Sequence, residues 1–271
     1  DEGGLFAFVS GDGIIWRLFK NSPIITKGAF DSQNLAFYDS VNKRYLEYHR
    51  GWSQGGFNGI RNIMVCASND FENWSDPEFL IYEDSPQEHL YTNAIKPYFR
   101  APHIYLGFPK RFIPERKKTQ HPINGVSDGV FMSSRDGLHW KRWQEAFIRP
   151  GIQPERWINR NNMTAWGIIT TKSKLNPAID EISLYSSEAY YTEKNRLRRY
   201  TIRTDGFVSI NASAKGGYFI THPLVFNGEN LVINYSTSAA GKILVGIMDG
   251  NKRYISGFSV DDCIETYGDS I

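Results

Sequence analysis

The chain has 271 residues, 41% of them hydrophobic and 14% aromatic, with 31 Lys and Arg against 29 Asp and Glu. That is ample for a buried core in one large domain or two, and a net charge of +2 gives no basis for a nucleic-acid or membrane surface. No stretch reaches the roughly 18 apolar residues of a membrane span, and Cys66 and Cys263 lack metal-type spacing.

The chain opens on DEGGLFAF with no leader and stops at GDSI. Both ends read as cut from a longer protein. Residues 34–51, NLAFYDSVNKRYLEYHRG, read as strand, turn, strand. The run IMVCAS makes Cys66 a buried free thiol. Further strands follow at 98–109, 129–134, 181–187, 196–203, 231–237 and 242–249, each apolar, aromatic or alternating. No capped window of helical period stands out. Two basic stretches, RFIPERKK (111–118) and RLRRYTIR (196–203), read as solvated loop or strand faces rather than phosphate sites.

One phrase recurs. Ser134-Arg-Asp136-Gly137-Leu-His-Trp140 is echoed by Ser10-Gly-Asp12-Gly13-Ile-Ile-Trp16 and Ser68-Asn-Asp70-Phe-Glu-Asn-Trp74. The aspartates are 58 positions apart (12 to 70) and then 66 (70 to 136). A weaker echo, Thr204-Asp205-Gly206-Phe207, has lost its Trp. Asp side chains accept bonds from turn amides and Gly supplies unusual backbone angles, so the phrase reads as a structural staple between outer strands. About four strands per roughly 60 residues fits one blade of a β-propeller. The expected fold is therefore all-β: a five-bladed propeller, incomplete in this chain, over 1–213, then β-sandwich-like strands over 214–271. The blades would be 1–27 (an outer half), 28–90, 91–152 and 153–213. The short period and Trp-Asp dipeptides of WD-type interaction propellers are missing.

In a propeller, functional groups from several blades meet at one mouth. Asp31 lies at the start of the second repeat, with Asn34 beside it as a hydroxyl ligand. Asp128 heads a strand in the third, where Asn93, Arg100 and His103 also fall. The fourth offers Asn159, Arg160 and Asn161 as donors, and Glu188 before a Tyr pair, where desolvation would raise its pKa as a general acid needs. Aromatic rings stack on sugar faces, and glycosidic cleavage needs two carboxyls.

The phrases FDSQN, RNIMVCASNDFENW, LYTNAIKPYFRAPHIYLGFP, SDGVFMSSRDGLHWKRW and LRRYTIRTDGFVSI resemble bacterial glycoside-hydrolase-like proteins, related in outline to the five-bladed hydrolases of families 32, 43 and 117. The resemblance covers most of 28–260. It implies a secreted or periplasmic protein of polysaccharide degradation. It also implies catalysis by Asp31 as base or nucleophile and Glu188 as acid, with Asp128 as helper. Where family 32 has Arg-Asp-Pro, this chain has Arg100-Ala101-Pro102, so one expected Asp is absent. The expectation is thus a glycoside hydrolase, with a non-catalytic carbohydrate-binding propeller as the alternative. No cofactor is expected, although related propellers can hold an axial cation such as calcium.

Overall fold

The computed structural model describes residues 3–54 and 56–270. The chain is nearly all β, and among the described residues it has two one-turn 3₁₀ segments, at Gly56–Asn58 and Pro154–Arg156. Among the described residues no helix is long and apolar enough to cross a membrane. The chain divides into two compact units. One comprises Asp1–Ile169 with Ser183–Tyr200; the other comprises Thr170–Ile182 with Thr201–Ile271. The boundary expected at 213 falls inside the second.

The repeat expected over 28–90 is one antiparallel four-stranded sheet: Leu35–Asp39, Arg44–Ser53, Ile60–Ser68 and Glu78–Phe79. Alternation along Arg44–Ser53 separates two buried faces. Leu46 and Tyr48 join Ile63, Val65, Tyr105, Met132 and Trp140 in the hydrophobic core. Glu47 and His49 alternate with them along the strand and so face the other way, yet both are buried too.

Residues 91–152 fold less simply. Lys96–Tyr98, Ala101–Gly107, Met132–Ser134 and His139–Arg142 form one sheet, extended by Ile81–Tyr82 lying parallel to the last strand. The second half of the same hairpin, Lys110–Ile113 with Val126–Gly129, pairs instead with His89–Leu90. The strand expected at 129–134 is therefore broken in two. The break lets Phe108 and Phe131 pack with tilted rings near Phe147 in a second aromatic cluster.

All three copies of the recurring phrase form the same turn. The Ser hydroxyl bonds the Asp carboxylate and receives the amide of the residue after Asp at 2.8–2.9 Å. One carboxylate oxygen accepts the next two amides at 2.7–2.9 Å. The Trp indole then donates to the carbonyl of the residue after Asp at 3.0–3.1 Å. That residue has positive φ: Gly13 (75°), Gly137 (88°) and, without glycine's freedom, Phe71 (65°). The Phe71 ring packs edge-on against Tyr45 and Trp74. In the fourth echo Arg203 stands where Ser would, and Asp205 rather than Gly206 has positive φ, so the turn differs.

In the second unit, the expected strands at 231–237 and 242–249 are largely absent. Tyr235–Ser236 pairs with Asp269–Ser270, and single bridges join Ile243 to Thr266 and Met248 to Tyr254. The alternating pattern is present, but Leu231, Val232 and Phe226 are all at least 70% exposed. A period of two makes a strand only where a partner ladder and a covering layer bury one face.

Candidate functional site

Within the first unit a cleft of about 460 Å³ opens between segments far apart in sequence. Its walls include Asp31, Ser32 and Gln33, then Tyr91, Thr92 and Lys110, and then Asn159, Arg160, Ser187, Tyr190 and Tyr191. The local folding is explicit. Asn34 donates to the carbonyls of Phe30 (2.9 Å) and Ser32 (3.2 Å) and tightens the turn that presents Asp31. Gln33 accepts the amides of Asn93 (3.0 Å) and Ala94 (2.6 Å). The Asn93 side chain donates to the carbonyls of Gln33 and Tyr48. Asn34 and Asn93 therefore shape the wall, and their amides are engaged with backbone.

The cleft is cationic. Lys110 is 2% exposed. Its ammonium bonds Asn159 Oδ1 at 3.1 Å and lies 4.4 Å from the centre of the Tyr91 ring. Burial, together with the charges of Arg160, Arg61 and Arg50, pulls its pKa from 10.5 down to about 7. Arg50 sits 4.9 Å from the same ring and pairs with Asp31. Arg160 stacks on Tyr191 at 4.3 Å, and its Nε is buried without a hydrogen-bond partner, as is Thr164 Oγ1 on the wall. Tyr190 and Tyr191 stack on each other at 4.0 Å. Tyr191 and Ala189 both take positive φ (66° and 49°), a strained presentation for side chains other than Gly, and one that clusters at functional sites.

Of the described residues lining the cleft, Asp31 alone is acidic; its side chain is 71% exposed. The three expected acids do not share a cavity. Asp128 lines a different one of about 410 Å³, where Arg111 grips both its oxygens at 2.9 and 2.7 Å. Glu188 lines neither. It is wholly buried. Arg198 (2.5 Å), Tyr200 (2.8 Å) and Arg156 (2.9 Å) converge on one of its oxygens, and Arg196 (2.8 Å) binds the other.

The expected rise in the Glu188 pKa is therefore corrected. Burial does push it up, but the bonds from Arg198, Tyr200 and Arg196 and the charge of Arg156 outweigh burial, and the carboxyl sits below its ordinary value. The solvated reading of 196–203 is corrected with it, because Arg196, Arg198 and Tyr200 share the strand face that closes on Glu188.

Asn159 and Arg160 border the cleft, whereas Asn161 is buried, bonding Asn162 (2.7 Å) and the Ala189 amide (3.2 Å). Arg100 and His103 are exposed and line neither cavity. Lys110, Tyr91 and Arg50 were not singled out from sequence. A usable signal existed in FPKRF (108–112), where a Lys-Arg pair sits between apolar residues, so that on a strand one of the two must turn inward. A calcium-type axial ion does not fit the cleft, because it needs six to eight oxygen ligands and finds here one carboxylate among cations.

No protein-family model matches the sequence, and no curated protein is recognisably similar to it. Among solved structures, the chain resembles an N-acetylgalactosamine deacetylase from F. plautii in complex with blood group B trisaccharide. Identity is 12% and TM-score 0.41, over 64% of this chain and 43% of that one. It also resembles a glycosyl hydrolase from Bacteroides ovatus (14%, TM-score 0.40, 68% and 48%). A third likeness is to a fructofuranosidase from Schwanniomyces occidentalis complexed with fructose (13%, TM-score 0.38, 66% and 35%). The likenesses are distant, and the chain spans less than half the length of each of these structures.

Proposed function

We propose that the cleft binds a saccharide carrying an acidic group, a carboxylate or a sulfate. The observation behind this reading is the set of cations at the cleft: Arg50 and Lys110 over Tyr91 and Arg160 over Tyr191, with one carboxylate that Arg50 already pairs. Partly desolvated cations attract an anion far more strongly than solvated ones do. The Tyr190–Tyr191 stack offers a flat face for a sugar ring. An anion beside Lys110 favours its charged form, so binding strengthens as pH falls toward about 7 and levels off below it.

Glycoside hydrolysis is the second reading, and the exposed carboxylate of Asp31 supports it. It requires a second carboxyl across the scissile bond, and Glu188 has both oxygens engaged away from the cleft. The test is a panel of uronic-acid, sulfated and neutral oligosaccharides, followed by calorimetry and by product analysis. Binding of acidic members without turnover supports the first reading. Turnover that Asp31→Asn lowers a hundredfold or more establishes the second. Equal, weak binding of all members overturns the first.

A further inference from the structure

Away from the cleft, the buried polar face of the first four-stranded sheet holds a second constellation. Glu47 and His49 are two apart on Arg44–Ser53 and so point the same way, and Cys66 lies directly across from Glu47 on Ile60–Ser68. All three are at most 3% exposed. One ligand atom from each lies within 4.8 Å of the others. His49 Nδ1 is 2.6 Å from Glu47 Oε2, and Cys66 Sγ is 3.5 Å from the same oxygen. Glu47 Oε1 is buried with no hydrogen-bond partner.

The imidazole orientation is fixed from behind. His49 Nε2 lies 3.0 Å from the carbonyl of Lys27, which can only accept, so Nε2 carries a hydrogen. Gly28 passes so close that an added Cβ would stand 2.5 Å from the ring, and Phe30 packs at 5.1 Å. Nδ1 must then meet the carboxylate through something positive, because a lone pair and a carboxylate oxygen 2.6 Å apart repel. A proton satisfies that requirement at 2.6 Å, and a metal ion does so once the two donors part to about 3.3 Å, the separation of two ligands on a tetrahedral zinc. A ring nitrogen toward a metal with the other N–H on a backbone carbonyl is the usual support of a ligating His.

We infer that Glu47, His49 and Cys66 form a binding site for a zinc-class divalent cation. Imidazole nitrogen and thiolate sulfur select such ions over calcium or magnesium, and Glu47 Oε1 supplies a further oxygen. The charge balance agrees. With the metal absent, an imidazolium–carboxylate pair and a neutral thiol sum to zero. When one dication enters, the proton between His49 and Glu47 and the thiol proton both leave to solvent. The dication, carboxylate and thiolate again sum to zero. The exchange therefore adds no net charge to a buried place, where net charge is costly.

The test is cobalt(II) titration of chelator-treated full-length protein, in a Cys263→Ser background that removes the other thiol. The expected result is one equivalent of cobalt with a thiolate-to-cobalt charge-transfer band. Zinc should bleach that band and raise the melting temperature. Cys66→Ser should abolish the band and weaken zinc binding tenfold or more. The absence of any band in the folded Cys263→Ser protein overturns the site, without need of the Cys66 variant. A band that persists in Cys66→Ser overturns it equally.

Discussion

Two cation-rich places in the first unit make opposite use of their charge. Around Glu188, three arginines and a tyrosine close on one fully buried carboxylate, and both its oxygens are engaged. Around Tyr91 and Tyr191, Arg50, Lys110 and Arg160 gather at a cleft with one exposed carboxylate among them. The first arrangement is internally satisfied and its carboxylate is spent on structure. The second leaves positive charge uncompensated, which stability alone does not favour. A surplus of desolvated charge in a cleft is the mark of a ligand site.

The largest expected effect breaks the satisfied side. Glu188→Gln removes the negative charge and leaves three arginines facing one another, at a cost of about 3–5 kcal/mol, read from denaturant unfolding at neutral pH. The pH dependence has a definite sign. The folded carboxyl titrates below its ordinary value, so its contribution is complete above about 4.5 and is lost as pH falls through the folded value. The variant should lack that acid-side loss. If it is as stable as the parent, the arginine nest does not hold the fold.

Next is the unsatisfied side, where removal should help stability and harm binding. Lys110→Met takes a buried cation out of a cationic setting and should stabilise the protein by about 2 kcal/mol near pH 6. Between about 7 and 10.5 the unfolded chain holds a proton that the folded Lys110 does not. The penalty is therefore full below about 7 and fades toward 10.5, and the gain in the variant should fade over the same range. Thermal melts at pH 6, 8 and 10 read this directly. A destabilised variant at pH 6 would mean that Lys110 is satisfied after all.

The smallest effect sharpens the comparison from a third, self-contained polar unit. Asp136 accepts two backbone amides and the His139 ring, which hold its pKa at about 2 against the upward push of partial burial. Asp136→Ala should cost about 1–2 kcal/mol. Asp12→Ala, on an exposed copy of the same turn, should cost less. The order of the two, measured by chemical unfolding, checks whether burial and the added His139 bond raise the value of the bonds they share.

How much was legible in the sequence follows the range of the interactions. The turns around Asp12, Asp70 and Asp136 were readable because every bond closes within six residues. The 28–90 sheet was readable for the same reason, its strands following one another through short connections. The cleft was only half readable. Asp31, Asn159 and Arg160 were found, but Lys110 and Tyr91 reach them from other segments, and no local pattern announces that. Glu188 was misjudged although the information lay next to it, since Arg196, Arg198 and Tyr200 alternate on the very next strand. The alternation at 231–249 failed in the opposite way, because a local pattern was present without the partner strand that would make it a ladder.

The central claim is that the cleft's uncompensated charge is there for an acidic sugar. Calorimetric titration of an oligogalacturonate against the neutral galactose oligomer of equal length, at pH 6 and pH 8.5, tests it most directly. The account predicts at least tenfold tighter binding of the acidic sugar at pH 6, with the preference shrinking by pH 8.5 as Lys110 loses its proton. Equal affinity for the two sugars at both pH values would contradict it.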